Sequence, residues 1–186
     1  MPQPFIPEYS NGLIDIIEKM RTVYDGRIVV GYEEFVEGID YHNHGDLIIQ
    51  VSYELHMETA DPTQEEVDAV VDRLFDDRYA KQYEATGRPL WIILGYQSVD
   101  GAVTNFFAPE ADGPHTPQNH NYPLDLDEQR MIYEAFYKAA NARPWVDGFA
   151  LFGYGFTDVP LGRDVTLNGK PAEVLSSLWA KATGAR

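Results

Sequence analysis

Four short apolar runs limit what this chain can become. They read RIVVGY (27–32), DLIIQVSYEL (46–55), PLWIILGY (89–96) and GFALFGYGF (148–156). Each is nearly continuous in apolar residues rather than alternating, the pattern of strands with apolar surroundings on both faces. Segments with helical spacing separate them. This alternation predicts an α/β fold on a parallel sheet, where ligands gather at the carboxyl ends of the strands. The residues just after each run therefore carry the functional interest. Here they are rich in Tyr, Glu, Asp and His.

The intervening segments have their own signals. Residues 1–9 are Pro-rich and expected to be extended, because a residue before Pro avoids the helical region. A first helix is expected over about 11–24, with Leu13, Ile16, Ile17, Met20 and Tyr24 on one face and Gly26 as its stop. Residues 33–44 read as irregular, with room for one helical turn. Asp61-Pro62-Thr63 opens a long helix to about Thr86, in which Thr63 and Glu66 have the spacing of a capping box. Its buried stripe is Val67, Val70, Val71, Leu74 and Phe75, and Gly87 ends it. A polar loop of about 98–124 follows, with Pro109, Pro114, Pro117 and Pro123. Loops of that length are usually functional or disordered. A helix from Asp125 to Ala142 precedes the fourth run, and Pro171 is well placed to start the last helix.

Composition excludes several classes. A chain of 186 residues suits one domain with a sizeable core. Acidic residues outnumber basic ones 30 to 14, a formal net charge of −16 that repels nucleic acid and anionic membranes. With no cysteine, disulfides, thiol catalysis and thiolate metal sites are excluded. The apolar runs are too short to span a bilayer. MPQPFIPEYS lacks the basic and apolar regions of a signal peptide, so none is expected; the compartment stays open, cytoplasmic or secreted.

Taken in order, several segments resemble the C-terminal half of a (β/α)₈-barrel glycoside hydrolase, nearest to the β-mannanase-like family 113 and related retaining enzymes of the cellulase clan. MRTVYDGRIVVGY resembles the helix before strand five and that strand. DLIIQVSYEL resembles strand six, RPLWIILGYQSVDGA strand seven, and DEQRMIYEAFYKAA helix seven. VDGFALFGYGF and GKPAEVLSSLW resemble strand eight and helix eight. The likeness runs from about 12 to 182, and its most specific pieces are GY-x-S-x-DG and GKPAEVL. It implies a half barrel of four parallel strands whose N-terminal half is not in this chain. It also implies a β-linked polysaccharide or oligosaccharide as ligand, and no cofactor.

Retaining glycoside cleavage needs two carboxyl groups about 5–5.5 Å apart. The resemblance places the nucleophile two residues before Gly95-Tyr96, where this chain has Ile93. For the acid/base it leaves Glu8 as the candidate. Glu54, Asp100, Glu110 or Asp112 could supply a second carboxylate; Glu54 follows Tyr53, the residue matching a strand-six Tyr that contacts the nucleophile. If the strand is regular there, Tyr53 inward puts Glu54 outward. Tyr32, Tyr53, Tyr96, Asp100 and Tyr154 are the candidate substrate-binding residues, because sugar rings stack on aromatic faces and a phenol adds a hydrogen bond. Phe152 reads as core or cap, Trp91 as core against a helix, and Trp145 and Trp179 as helix-to-sheet packing.

Two further readings compete. One is a non-catalytic carbohydrate-binding or assembly module. The other is a metal-dependent hydrolase built on His42, His44 and Asp46, with His115 and His120 in the long loop; His-x-His alone is a weak metal signal. Finally, four parallel strands leave two unpaired edges and one uncovered face. Self-association, a strand from the N-terminus, or a partner chain completing the barrel would resolve this, and association with itself or a partner is expected.

Overall fold

The computed structural model describes residues 7–32, 40–104, 122–152 and 162–183, without the side chains of 7–9, 32 and 40. The elements run α1 (Pro7–Arg21), β1 (Val29–Tyr32), a 3₁₀ turn (Asp40–His44), β2 (Leu47–Ser52), α2 (Gln64–Leu74), a π turn (Phe75–Tyr79), α3 (Ala80–Thr86), β3 (Leu90–Leu94), α4 (Leu126–Asn141), β4 (Val146–Leu151) and α5 (Pro171–Thr183). The sheet order is β1-β2-β3-β4, and every pairing is parallel. The four expected strands form; the first three are shorter than their apolar runs, and the fourth, Val146–Leu151, begins two residues before its run.

Local chemistry explains most boundaries. Thr63 caps α2 reciprocally: its Oγ1 accepts from the Glu66 N–H at 3.3 Å, while Glu66 Oε2 accepts from the Thr63 N–H at 2.8 Å. Gly87 closes α3 in the left-handed region at φ 63°, donating its N–H to Tyr83 O. Between these caps the helix continues, but one turn, Phe75–Tyr79, is widened to π geometry. The start of α1 corrects the sequence reading. The helix begins at Pro7 rather than near 11, because Pro is tolerated in a first turn where its missing N–H has no partner to lose. It ends at Arg21, short of Tyr24, where the N–H groups of Thr22 and Val23 bond back to Lys19 O and Met20 O.

The two faces of the sheet differ. Val30, Ile48, Leu90, Ile92 and Leu94 are buried in one core with Val67, Val71, Phe75, Ile132 and Phe136 of the helices. Their neighbours Ile49, Val51, Trp91 and Ile93 point to the opposite face and are only half-buried. Val29 is 39% exposed and Phe152 42%. Among the described residues, helices cover one face, not two as the continuous apolar runs imply.

The uncovered face is concave. Arg27, next to β1, reaches Asp147 in β4 with Nη2–Oδ2 at 3.0 Å. Those strands are the two edges, and in a flat sheet they would lie about 14 Å apart at the usual strand spacing. The two side chains meet across this face, as they do when a sheet curls. A register shift against β3 leaves Asp147 as an extra residue in β4. Asp147 also accepts from Trp91 Nε1 at 2.8 Å. Trp91 thus lies on the concave face and does not pack against a helix as the sequence reading expects. A Cβ at Gly148 would sit 3.1 Å from that indole nitrogen. Trp145 and Trp179 do pack where expected, stacked on Tyr83 and Tyr137 with centroids 5.7 and 4.9 Å away.

Phe75 anchors the helix-side core, touching the rings of Tyr79, Phe136 and Trp145. Phe75→Ala is expected to cost about 3–5 kcal/mol in urea denaturation; a loss below about 1 kcal/mol contradicts this packing.

Candidate functional site

The loops leaving β2, β3 and β4 meet at the carboxyl end of the sheet and are tied together there. Ser98, fully buried, lies 2.9 Å from Gly162 O and 3.1 Å from Asp164 O through its hydroxyl. Lys170, also buried, donates from Nζ to Ser98 Oγ at 2.8 Å, Asp164 Oδ1 at 3.0 Å and Asp164 O at 3.1 Å. Burial raises the Asp164 carboxyl, but Lys170 and Thr166 outweigh it and hold Asp164 below the usual range. Burial lowers Lys170 against the opposing pull of Asp164. The two most specific motifs of the sequence, GY-x-S-x-DG and GKPAEVL, therefore meet in one fastening. Their Ser and Lys hold the β3 loop to the β4 loop.

Glu128 of α4 makes a second tie. It is 2% exposed, and its carboxylate accepts from the N–H groups of Gly101 and Val103, both at 2.8 Å. Burial pushes its pKa up to about 7, with Asp125 and Asp100 adding repulsion, although the two N–H donors oppose the rise. A third tie runs from the β2 loop, where the Met57 N–H donates to Val103 O at 3.0 Å.

Beside this platform a cavity of about 150 Å³ opens between the end of β2 and α2. Tyr53, Glu54 and His56 border it from the loop, Arg78 and Tyr79 from the π turn, and Val70 and Leu74 from α2. His56 Nε2 pairs with Glu54 Oε2 at 2.9 Å. His56 holds φ 53°, the one non-glycine residue in the left-handed region among the described residues. Backbone strain and π turns both concentrate at functional sites.

The sequence-derived candidates separate when placed in the fold. Tyr53 and Glu54 both border the cavity, because β2 ends at Ser52 and strand alternation stops there. Tyr96 is 1% exposed in the helix-side core, its hydroxyl 2.8 Å from Ser52 Oγ and its ring against Phe136. Burial raises its pKa well above the usual value. No sugar reaches it there, which corrects its assignment to the binding face. Asp100 is exposed on the turn before Gly101. Glu8 lies in the first turn of α1; its side chain, that of Tyr32, and Tyr154, Glu110, Asp112, His115 and His120 fall outside the described residues. Ile93, at the position matched to the nucleophile, lies on the concave face between Val51 and Ala150.

The metal reading loses its residues to other partners. Asp46 Oδ2 accepts from Arg21 at 2.6 Å and from the Ile28 N–H at 2.7 Å. His44 Nδ1 lies 3.1 Å from Glu18 Oε1. His42 is buried, packs its ring on Tyr41, and has its pKa lowered to about 4 by desolvation. Among the described residues no three such side chains are grouped to hold a metal ion, and no helix is long and apolar enough to cross a membrane.

Curled parallel strands with helices on the convex side define part of a TIM barrel. Solved structures that match include glycoside hydrolases of that fold. A GH113 β-1,4-mannanase in complex superposes with TM-score 0.62 at 20% identity, covering 95% of this chain and 52% of that one. A second GH113 β-1,4-mannanase structure gives 0.60 at 21% over the same shares. The β-D-glucuronidase of Dictyoglomus thermophilum gives 0.59 at 14%, covering 94% of this chain and 29% of that one. The chain therefore spans about half the length of the mannanases it matches, and at these identities the likeness is one of fold. No family model and no curated protein matches the sequence.

The Glu128 tie has a pH signature. Its folded pKa, about 7, exceeds the ordinary carboxylate value, so the folded state holds the extra proton. Stability should fall as pH rises from about 4.5 to about 7, by up to roughly 3 kcal/mol. In Glu128→Gln, urea denaturation across that window should lose this slope; an unchanged slope contradicts the assignment.

Proposed function

We propose that this protein binds β-linked oligosaccharide at the carboxyl end of its half barrel and does not cleave it in the manner of a retaining glycosidase. The observation that carries the binding half is the cavity bordered by Tyr53, Glu54, His56 and Arg78, beside loops tied into a platform. A cavity of about this size accepts one six-membered ring. Its border offers an aromatic face, a guanidinium, a carboxylate and an imidazole, the groups that hydrogen-bond and stack on sugars. Ile93 supports the non-cleaving half, since a hydrocarbon stands where the retaining mechanism requires a nucleophilic carboxylate.

A second reading, hydrolysis with Glu8 as acid/base and Glu54 as its partner, draws on Glu54 bordering the cavity. Completion of the barrel by another copy or by a partner chain belongs to either reading.

Calorimetry with manno- and gluco-oligosaccharides tests the proposal. Binding without product is expected, weakened about tenfold by Tyr53→Ala or Arg78→Ala, roughly the worth of one good contact. Product formation that Glu8→Gln or Glu54→Gln abolishes would transfer the function to the second reading. No binding of either series would remove the proposal.

A further inference from the structure

The loop that borders the cavity is held from outside the cavity. After β2 ends at Ser52, the chain runs past Tyr53, Glu54, Leu55 and His56, which all border the cavity, and His56 adopts φ 53°. A residue with a side chain stays in that region only where its surroundings hold it. One hold is the pair with Glu54, but the His56 side chain is 69% exposed, and a pair in solvent contributes little. The firmer hold is on the next residue. The Met57 N–H donates to Val103 O at 3.0 Å, and Val103 is fully buried. The Val103 N–H in turn donates to Glu128 Oε1, and the Gly101 N–H to Glu128 Oε2, both at 2.8 Å. A line of hydrogen bonds therefore runs from a buried carboxylate on α4 to the residue behind His56.

We propose that Glu128 is a positioning residue of the cavity: its ionised carboxylate holds the turn Gly101–Val103 and, through Met57, the strained border at His56; this rests on the carbohydrate reading for what the cavity receives. Protonation decides how well the hold is made. An ionised carboxylate accepts on both oxygens, whereas protonation turns one oxygen into a donor that neither amide can use. Burial places this change near neutrality, at about 7. Among the described residues, Asp100 on the same turn and Asp125 at the start of α4 both favour the protonated form. Asp127, next to Glu128 on α4, pairs with Arg130. Lys170 and Asp164 are joined to each other and to Ser98, two residues before Asp100. His56 and Glu54 lie just beyond Met57. Two effects of opposite sign follow. As pH rises towards 7 the whole fold loses stability, because a charge is left buried, while the loop at the cavity becomes better held.

Hydrogen exchange followed by NMR on the full chain tests this, each rate divided by its intrinsic rate so that the pH dependence of exchange itself cancels. The Val103 and Met57 amides should gain at least tenfold in protection between pH 6 and pH 8, with a midpoint near 7. Those of Leu90–Leu94 should gain none. In Glu128→Gln, whose amide accepts on a single oxygen, Val103 and Met57 should stay at the low value at both pH values. His56→Asn, which keeps a residue at home in the left-handed region, should retain the gain. A gain at Val103 without one at Met57 overturns the proposal, as does a Met57 gain that survives Glu128→Gln or vanishes in His56→Asn. A loop merely loosened along with the fold would change in the opposite direction. No sugar enters the experiment, so its failure is separate from failure of the carbohydrate reading.

Discussion

Parallel pairing of four strands that are apolar on both faces is the constraint from which the other features follow. Parallel strands require a crossover after each strand, and the crossovers that form helices place them on the convex side, where Val30, Ile48, Ile92 and Leu94 meet them. The other face receives no helix among the described residues, yet it is still made of Ile49, Val51, Trp91 and Ile93. Curling of the sheet, which brings Arg27 to Asp147, partly shelters that face but does not cover it. Among the described residues, the open concavity and the unpaired edges are two consequences of one topology.

The carboxyl end of the sheet is the opposite case, closely satisfied. Ser98, Lys170 and Asp164 join two loops, Glu128 grips the turn at Gly101, and Met57 joins the third loop to Val103. Breaking a buried ion pair on one side leaves an unpaired charge, a cost of several kcal/mol, so this network holds the loops in one arrangement. The GY-x-S-x-DG and GKPAEVL segments are thus the ones that hold the loops.

Much of this was legible in the residues, for identifiable reasons. Strand positions follow from continuous apolar runs, and the ends of the long helix follow from Thr63, Glu66 and Gly87, whose roles depend only on near neighbours. Pro171 likewise begins α5 as expected. What failed was the assignment of faces. Leu90, Ile92 and Leu94 are no more apolar than Trp91 and Ile93, so alternation alone does not say which set meets the helices. Tyr96 follows the first set into the core and Trp91 follows the second onto the concave face, both against expectation. The Ser98–Lys170 bond joins residues 72 apart, and the π turn at Phe75 leaves no mark in side-chain spacing, so neither could be read locally.

Hydrogen exchange on the isolated full chain tests the central claim of an open, curled, four-stranded half barrel. Amides of Leu47–Ser52 and Leu90–Leu94, each strand paired on both sides, should exchange at least tenfold more slowly than those of Val29–Tyr32 and Val146–Leu151. Edge strands as protected as the central pair in a monomeric chain would mean that the edges are not open, and would contradict the account.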